Sequence, residues 1–204
     1  MSNHRAGFVN IIGNPNVGKS TLMNALVGER LSIITAKSQT TRHRIMGIVN
    51  GADYQIVYSD TPGILRPSYK LQESMMEYVE TAMGDADIIL YVTDVVEKID
   101  KNIEYIEKLN RVISPVIIVI NKIDLSNNEQ VNSLIQRWKE LVPKARIMVA
   151  SAQEKFGLDM IFDTILELLP QNEAWYDKDF FTDRNLRFFA SEIIREKILL
   201  NYTK

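Results

Sequence analysis

Short, mainly apolar runs at residues 8–12, 88–93, 116–120 and 146–150 alternate with stretches whose apolar residues recur every three or four positions. Apolar runs bounded by polar residues predict strands buried in a sheet, and the 3.6-residue periodicity predicts the helices that cover them. Residues 45–49 and 54–59 flank Asn50-Gly51, a hairpin dipeptide, so this pair of strands is expected to run antiparallel. Residues 21–27 read as a helix after the Gly-rich segment 13–20. Ile99, Ile103, Ile106 and Leu109 mark a second helix. Val131, Leu134, Ile135, Trp138 and Leu141 mark a third, with Ser126 and Glu129 in capping-box spacing at its start. Leu158, Ile161, Phe162 and Ile165 mark a fourth, ended by Pro170. The alternation predicts an α/β fold with a mostly parallel six-stranded sheet, one antiparallel strand, and helices on both faces.

The pattern changes after residue 170. Residues 1–170 form the predicted α/β domain. Residues 171–183 are polar and aromatic without a period and read as a linker. Leu186, Phe189, Ala190, Ile193, Ile194 and Ile198 then make a broad apolar helical face within residues 184–204. This last helix either docks on the first domain or begins a second one.

Composition narrows the chemistry. The 204 residues are 46% hydrophobic and 25% charged, which is globular composition. With 24 Lys+Arg against 26 Asp+Glu, charge balance offers no electrostatic case for nucleic-acid binding. Residues 171–204 carry six basic and six acidic side chains, so the tail is not a basic arm either. The absence of cysteine excludes disulfides, thiolate metal sites and cysteine nucleophiles, and fits a reducing compartment. Two histidines, His4 and His43, are too few for a His-rich metal centre. No apolar run is long enough to span a membrane, and residues 1–6 do not resemble a signal peptide. A cytoplasmic monomer is expected.

Gly13-Asn-Pro-Asn-Val-Gly18-Lys19-Ser20 matches the phosphate-loop pattern, between a predicted strand and a predicted helix. Glycines there let backbone N–H groups face phosphate oxygens, and the following helix N-terminus adds its dipole. Lys19 would reach the β- and γ-phosphates and Ser20 would ligate Mg²⁺, with Asn14, Asn16, Val17, Gly18 and Thr21 completing the nucleotide-binding segment. Asp60-Thr61-Pro62-Gly63 follows a strand. Asp60 would hold Mg²⁺ through water, and the Gly63 N–H would approach the γ-phosphate; ordinary turn chemistry is the bland alternative. Asn121-Lys122-Ile123-Asp124 ends another strand. A buried Asp124 could accept hydrogen bonds from guanine N1–H and its 2-amino group, which adenine lacks. Lys122 would lie along the base and ribose, and Ser151-Ala152 would offer a backbone N–H to guanine O6.

In this order the motifs resemble the translation-factor-like class of P-loop GTPases. Within it, Gln39-Thr-Thr-Arg-His-Arg44 and the segment 182–197 are similar to the Era-like ribosome-assembly GTPases, a resemblance that covers the whole chain. The resemblance implies a GTP/GDP switch with Mg²⁺, with Thr41 ligating the metal in the GTP state and Thr40 as the neighbouring alternative. It implies that residues 184–204 are the first helix of an incomplete C-terminal KH-type domain. That domain would bind small-subunit rRNA and the 30S subunit, in the cytoplasm with peripheral association at the inner membrane. The Gly-rich RNA-clamping loop of such a domain lies outside this sequence, so specific RNA binding by these 204 residues is expected to be weak or absent. Asn16 matches an asparagine that some relatives use to hold K⁺; otherwise it stabilises the turn after Pro15.

Ile64 stands where Ras-like GTPases place a water-orienting Gln, and the phosphate loop has no arginine, so intrinsic hydrolysis should be slow. Arg42 and Arg44 are nearby cations that anchor the preceding loop or contact a partner. Competing readings are a different translation-factor-class GTPase, a nucleotide-binding module with negligible turnover, and an ATP-dependent kinase or ATPase. The last would have no use for Asp124.

Overall fold

The computed structural model describes residues 4–98 and 103–202. The strands are β1 (Arg5–Gly13), β2 (Ile45–Asn50), β3 (Tyr54–Asp60), β4 (Ile88–Asp94), β5 (Val116–Asn121) and β6 (Arg146–Val149). The helices are α1 (Lys19–Val27), α2 (Lys70–Gly84), α3 (Ile103–Arg111), α4 (Asn128–Leu141), α5 (Leu158–Leu168) and α6 (Leu186–Asn201). One sheet runs β2-β3-β1-β4-β5-β6. All its pairings are parallel except β2 with β3, where Asn50 pairs with Gln55 across the expected hairpin.

The pleat explains the apolar runs. Leu90 and Val92 of β4 face one layer while Ile89 and Tyr91 face the other, so a strand covered on both sides must be apolar throughout. The first layer is closed by Leu22 and Met23 of α1 and Ile161 and Ile165 of α5. The second is closed by Met75 and Val79 of α2, Leu109 of α3 and Trp138 of α4. Each such side chain contributes roughly 1.5–3 kcal/mol on burial, so the fold stands on these layers and leaves the loops at the strand ends free to carry polar groups. The parallel strands end at a common edge, where residues 13–18, 60–63, 94–97, 121–124 and 151–153 gather, as ligand-binding edges of α/β sheets do.

The structure departs from the sequence reading at two helices. Helix α4 is capped by Asn127, whose Oδ1 accepts from Gln130 N at 2.9 Å, and not by Ser126. Ser126 instead closes the preceding 3-10 turn, its N–H donating to Ile123 O at 3.1 Å, which moves the helix start one residue on. Helix α2 has no counterpart in the sequence reading; its buried stripe is Gln72, Met75, Met76, Val79, Ala82 and Met83. Ile99, expected in the helix of Ile103, lies outside the described residues.

Residues 171–183 are not a free tether. Trp175 packs on Phe8 with ring centroids 5.6 Å apart. The fully buried Gln55 accepts from Trp175 N (2.8 Å) and Tyr176 N (3.0 Å) and donates to Tyr176 O (2.8 Å). Further on, Ile48 N donates to Phe181 O at 2.9 Å and Thr182 bridges Gly47, so the segment covers the open edge of β2. It is held by its backbone and single anchors, which is why it shows no hydrophobic period.

Candidate functional site

The phosphate loop is shaped by glycines with no room for a side chain. Gly13 has φ +154°, and a Cβ there would sit 2.1 Å from Val92 O. Gly18 caps α1 at φ +95°, where a Cβ would meet Asn121 Nδ2 at 2.3 Å. Between them Asn16 takes φ +66°, a left-handed conformation that asparagine tolerates. Lys19 is buried, and its Nζ donates to Asn14 O at 2.7 Å. Asn14 thus contributes its carbonyl, while its side chain donates to Glu97 Oε2 at 2.6 Å. The mouth of this loop opens into a cavity of about 520 Å³ lined by Pro15, Lys19, Thr21, Thr41, Gly63 and Lys122 among others, which is the size of an ordinary small-ligand site.

At its floor three oxygen side chains converge. Ser20 Oγ donates to Asp60 Oδ2 at 2.7 Å and lies 3.0 Å from Thr41 Oγ1, which itself donates to the same carboxylate oxygen at 3.3 Å. Thr40 points away, its hydroxyl donating to Lys37 O at 2.6 Å, so the structure favours Thr41 over its neighbour. Asp60 is fully buried, and among the described residues its Oδ1 has no hydrogen-bond partner. An orphaned buried carboxylate oxygen beside two hydroxyls is the donor set a hard oxygen-seeking cation fits. Desolvation pushes the Asp60 carboxyl above its ordinary range, opposed by the Ser20 hydrogen bond and the Lys19 charge.

Gly63 abuts the phosphate loop so closely that a Cβ would lie 2.7 Å from Pro15 Cα and N. Ile64 N donates to Gly13 O at 3.0 Å, and the Ile64 side chain is buried in the α2 layer. Ile64 therefore cannot orient water from this position.

At the other end Asn121 is a strut. Its Nδ2 donates to Val17 O at 2.9 Å and its Oδ1 accepts from Ala152 N at 3.0 Å. The Ala152 N–H expected to meet guanine O6 is thus engaged by Asn121, and the Ser151 N–H by Phe156 O at 3.1 Å. Gln153, which also lines the cavity, lies next in this loop. Lys122 adopts φ +60° and lays its ammonium 2.5 Å from Asn16 O and 2.7 Å from Asp94 Oδ2. Asp124 is exposed rather than buried, in the 3-10 turn Ile123–Leu125, and among the described residues its carboxylate makes no hydrogen bond or ion pair.

Asp94 and Glu97 escaped the sequence reading. Asp94 anchors Lys122, and Glu97 accepts from Asn14 and, at 2.5 Å, from Thr93 Oγ1. Their position just after a parallel strand, at the ligand-binding edge, is the signal that points to them. Helix α6 was expected either to dock on the first domain or to begin a second one, and here it contacts the loop that carries Thr41. Glu196 pairs with Arg30 and accepts from Ile34 N at 3.1 Å, and Arg195 donates to Thr40 O at 2.6 Å.

Burial lowers the Lys19 ammonium to about 8, with the Asp60 and Glu97 charges opposing the shift. Above that value the folded apo protein holds Lys19 neutral while the unfolded chain still binds the proton. This term therefore adds stability as pH rises from about 8 towards the ordinary lysine range. Phosphates favour the ammonium, so nucleotide binding should reverse the effect by taking up a proton. Calorimetry in buffers of different ionisation enthalpy should show uptake near zero at about pH 7 and approaching one proton at about pH 9.

The family model described as 50S ribosome-binding GTPase matches residues 8–122. The chain is 40% identical over 200 residues to the GTPase Era of Staphylococcus haemolyticus, covering 98% of this chain and 67% of that protein. It is 42% identical over 205 residues to the chloroplastic GTPase ERA1 of Zea mays, covering 98% of this chain and 49% of that one. A crystal structure of Era in complex with MgGDPNP and a segment of 16S ribosomal RNA superposes with a TM-score of 0.93 at 38% identity, over 98% of this chain and 69% of that chain. The chain thus spans about two thirds of the bacterial relative and about half of the plastid one. At this identity and coverage the chain belongs to the Era family of GTPases.

Proposed function

We propose that this chain is the nucleotide-driven part of a switch that acts on small-subunit rRNA and the 30S subunit. The observation that carries it is the convergence of Ser20, Thr41 and Asp60 beneath a phosphate loop, with α6 seated on the Thr41 loop. Backbone N–H groups of residues 14–21 and the Lys19 ammonium would hold the β- and γ-phosphates, and the Gly63 N–H would reach the γ-phosphate. Ser20 and Thr41 would ligate Mg²⁺ directly and Asp60 through water; the ion supplies charge neutralisation across the β- and γ-oxygens. Asp124 would read guanine, Lys122 would flank the base, and Asn121 would hold the phosphate loop against the 151–153 loop. When the γ-phosphate leaves, Thr41 and Gly63 lose their ligand and the loops relax.

Residues 1–170 would then be the GTPase domain, 171–183 a strap along its β2 edge, and 184–204 the opening helix of a KH-type RNA-binding domain. Support for an RNA partner comes from the superposed Era complex, since neither part of this chain is basic. A cytoplasmic monomer with peripheral inner-membrane association fits the family. Among the described residues no helix is long and apolar enough to cross a membrane.

With Ile64 buried and no arginine in the phosphate loop, a monovalent cation is the best candidate for offsetting transition-state charge. The Asn16 side chain donates its Nδ2 to Ala36 O at 3.2 Å, which leaves its Oδ1 and that carbonyl on the cavity wall for K⁺. Phosphate release from GTP should therefore be about tenfold or more faster in KCl than in NaCl. Equal rates in the two salts would remove K⁺ from the site, and absence of turnover in both would overturn the hydrolytic assignment of these residues.

A further inference from the structure

Arg44 is 8% exposed, a rare placement for a charged side chain unless it is paired. Its Nε donates to Ser59 Oγ at 2.6 Å and its Nη2 to Asn10 Oδ1 at 3.1 Å. Its two terminal nitrogens also grip Asp85, at 2.5 Å to Oδ2 and 3.0 Å to Oδ1. Asn10, fully buried, turns its Nδ2 to Ala82 O and to Asp85 Oδ1, both at 2.7 Å. Ala82 and Asp85 are the C-terminal end of α2, where a cation opposes the helix dipole and a donor satisfies an open carbonyl. One guanidinium thus joins β1, β3, the far end of α2 and the end of the loop that carries Thr41.

The geometry is matched at the loop's other end. Asn24 Oδ1 accepts from Leu31 N and Ser32 N, each at 2.9 Å, and its Nδ2 donates to Ser32 O at 2.7 Å. The loop is therefore fastened at 31–32 and at 44, with Thr41 between the fastenings. Ser59, gripped by Arg44, is the residue before Asp60, so the clamp sets where Thr41 meets the Asp60 carboxylate. Gly63 and α2 follow Asp60, which places both γ-phosphate-facing segments on the same clamp.

We propose that Arg44 and Asp85 are positioning residues that hold Thr41 over Ser20 and Asp60, and so serve the triphosphate state and hydrolysis rather than nucleotide binding in general. The proposal rests on the reading of Thr41 as the γ-phosphate-dependent ligand. Asp85 is the residue to change, because its side chain is 47% exposed and its loss leaves no cavity. Asp85→Ala should leave GDP affinity unchanged, weaken GDPNP binding and slow turnover, each of the latter by about tenfold, the scale of a small misplacement of a reacting group. Asp85→Glu should restore most of both. Thr41→Ala is the reference and should lose GDPNP selectively. If Thr41→Ala is selective while Asp85→Ala weakens GDP and GDPNP equally, or neither, the clamp is merely structural and the proposal is wrong. If Thr41→Ala is itself unselective, the reading of Thr41 fails and the clamp falls with it.

Discussion

Asp124→Asn should weaken binding of guanine nucleotides by about 10²–10⁴-fold and strengthen binding of xanthine nucleotides. A carboxylate can accept from guanine N1–H and the 2-amino group together, and hydrogen bonds to a charged group are worth roughly 1.5–3 kcal/mol each. Asparagine keeps one acceptor and replaces the other by a donor, which repels the 2-amino group and matches the carbonyl that xanthine carries instead. The structure sharpens the expectation. Among the described residues Asp124 makes no side-chain hydrogen bond or ion pair, and its turn is fixed by Leu125 N on Lys122 O at 3.0 Å and Ile123 N on Ala150 O at 3.3 Å. The substitution therefore alters recognition without disturbing a network. Displacement of a fluorescent guanine nucleotide by GDP, XDP and ADP measures it; unchanged preference for GDP in the variant would take base recognition away from this residue.

The second large effect concerns Lys19. Lys19→Ala should cut phosphate release by at least about 10²-fold, the usual loss when one preorganised donor to developing charge is removed. The apo protein should tolerate the change. A buried ammonium carries a desolvation penalty, visible in its pull to about 8, and removing it relieves that cost while losing the bond to Asn14 O and the attraction of the Asp60 and Glu97 charges. Thermal unfolding of the apo variant should stay within about 4 °C of the parent, the scale of roughly 1 kcal/mol for a chain of this length. A folded variant that hydrolyses GTP at the parent rate would show that Lys19 does not meet the phosphates.

How much of this was legible in the sequence depended on how local each signal is. Strands β1, β4 and β5 were readable because burial on both faces favours unbroken apolar runs, as residues 88–92 show. The phosphate loop was readable because its glycines answer a backbone requirement at Gly13 and Gly18 that no other residue meets. Helix α2 was not, because Met75, Met76, Val79 and Met83 sit among polar residues in the stretch that follows Asp60-Thr-Pro-Gly63. The contacts of residues 171–183 were hidden for a different reason. Their hold on the sheet is one buried Gln55 and a few backbone hydrogen bonds, which leave no periodic trace.

The site shows the same division. Gly18, Lys19, Ser20, Asp60 and Asn121 could be placed by motif and order. The engagement of the Ala152 N–H by Asn121, the exposure of Asp124 and the Glu97 contact with Asn14 depend on loops distant in sequence meeting at one sheet edge. The Arg44–Asp85 pair lies 41 residues apart, and only the packing of α2 against β1 brings the two together.

Single-turnover phosphate release from GTP and from ATP, each with Mg²⁺ and with a chelator, is the most direct test of a guanine-specific, magnesium-dependent site built on Ser20, Thr41 and Asp60. About one phosphate per protein from GTP with Mg²⁺, and next to none from ATP or with the chelator, is the expected result. Equal release from ATP, or release from GTP that persists without the metal, would contradict it.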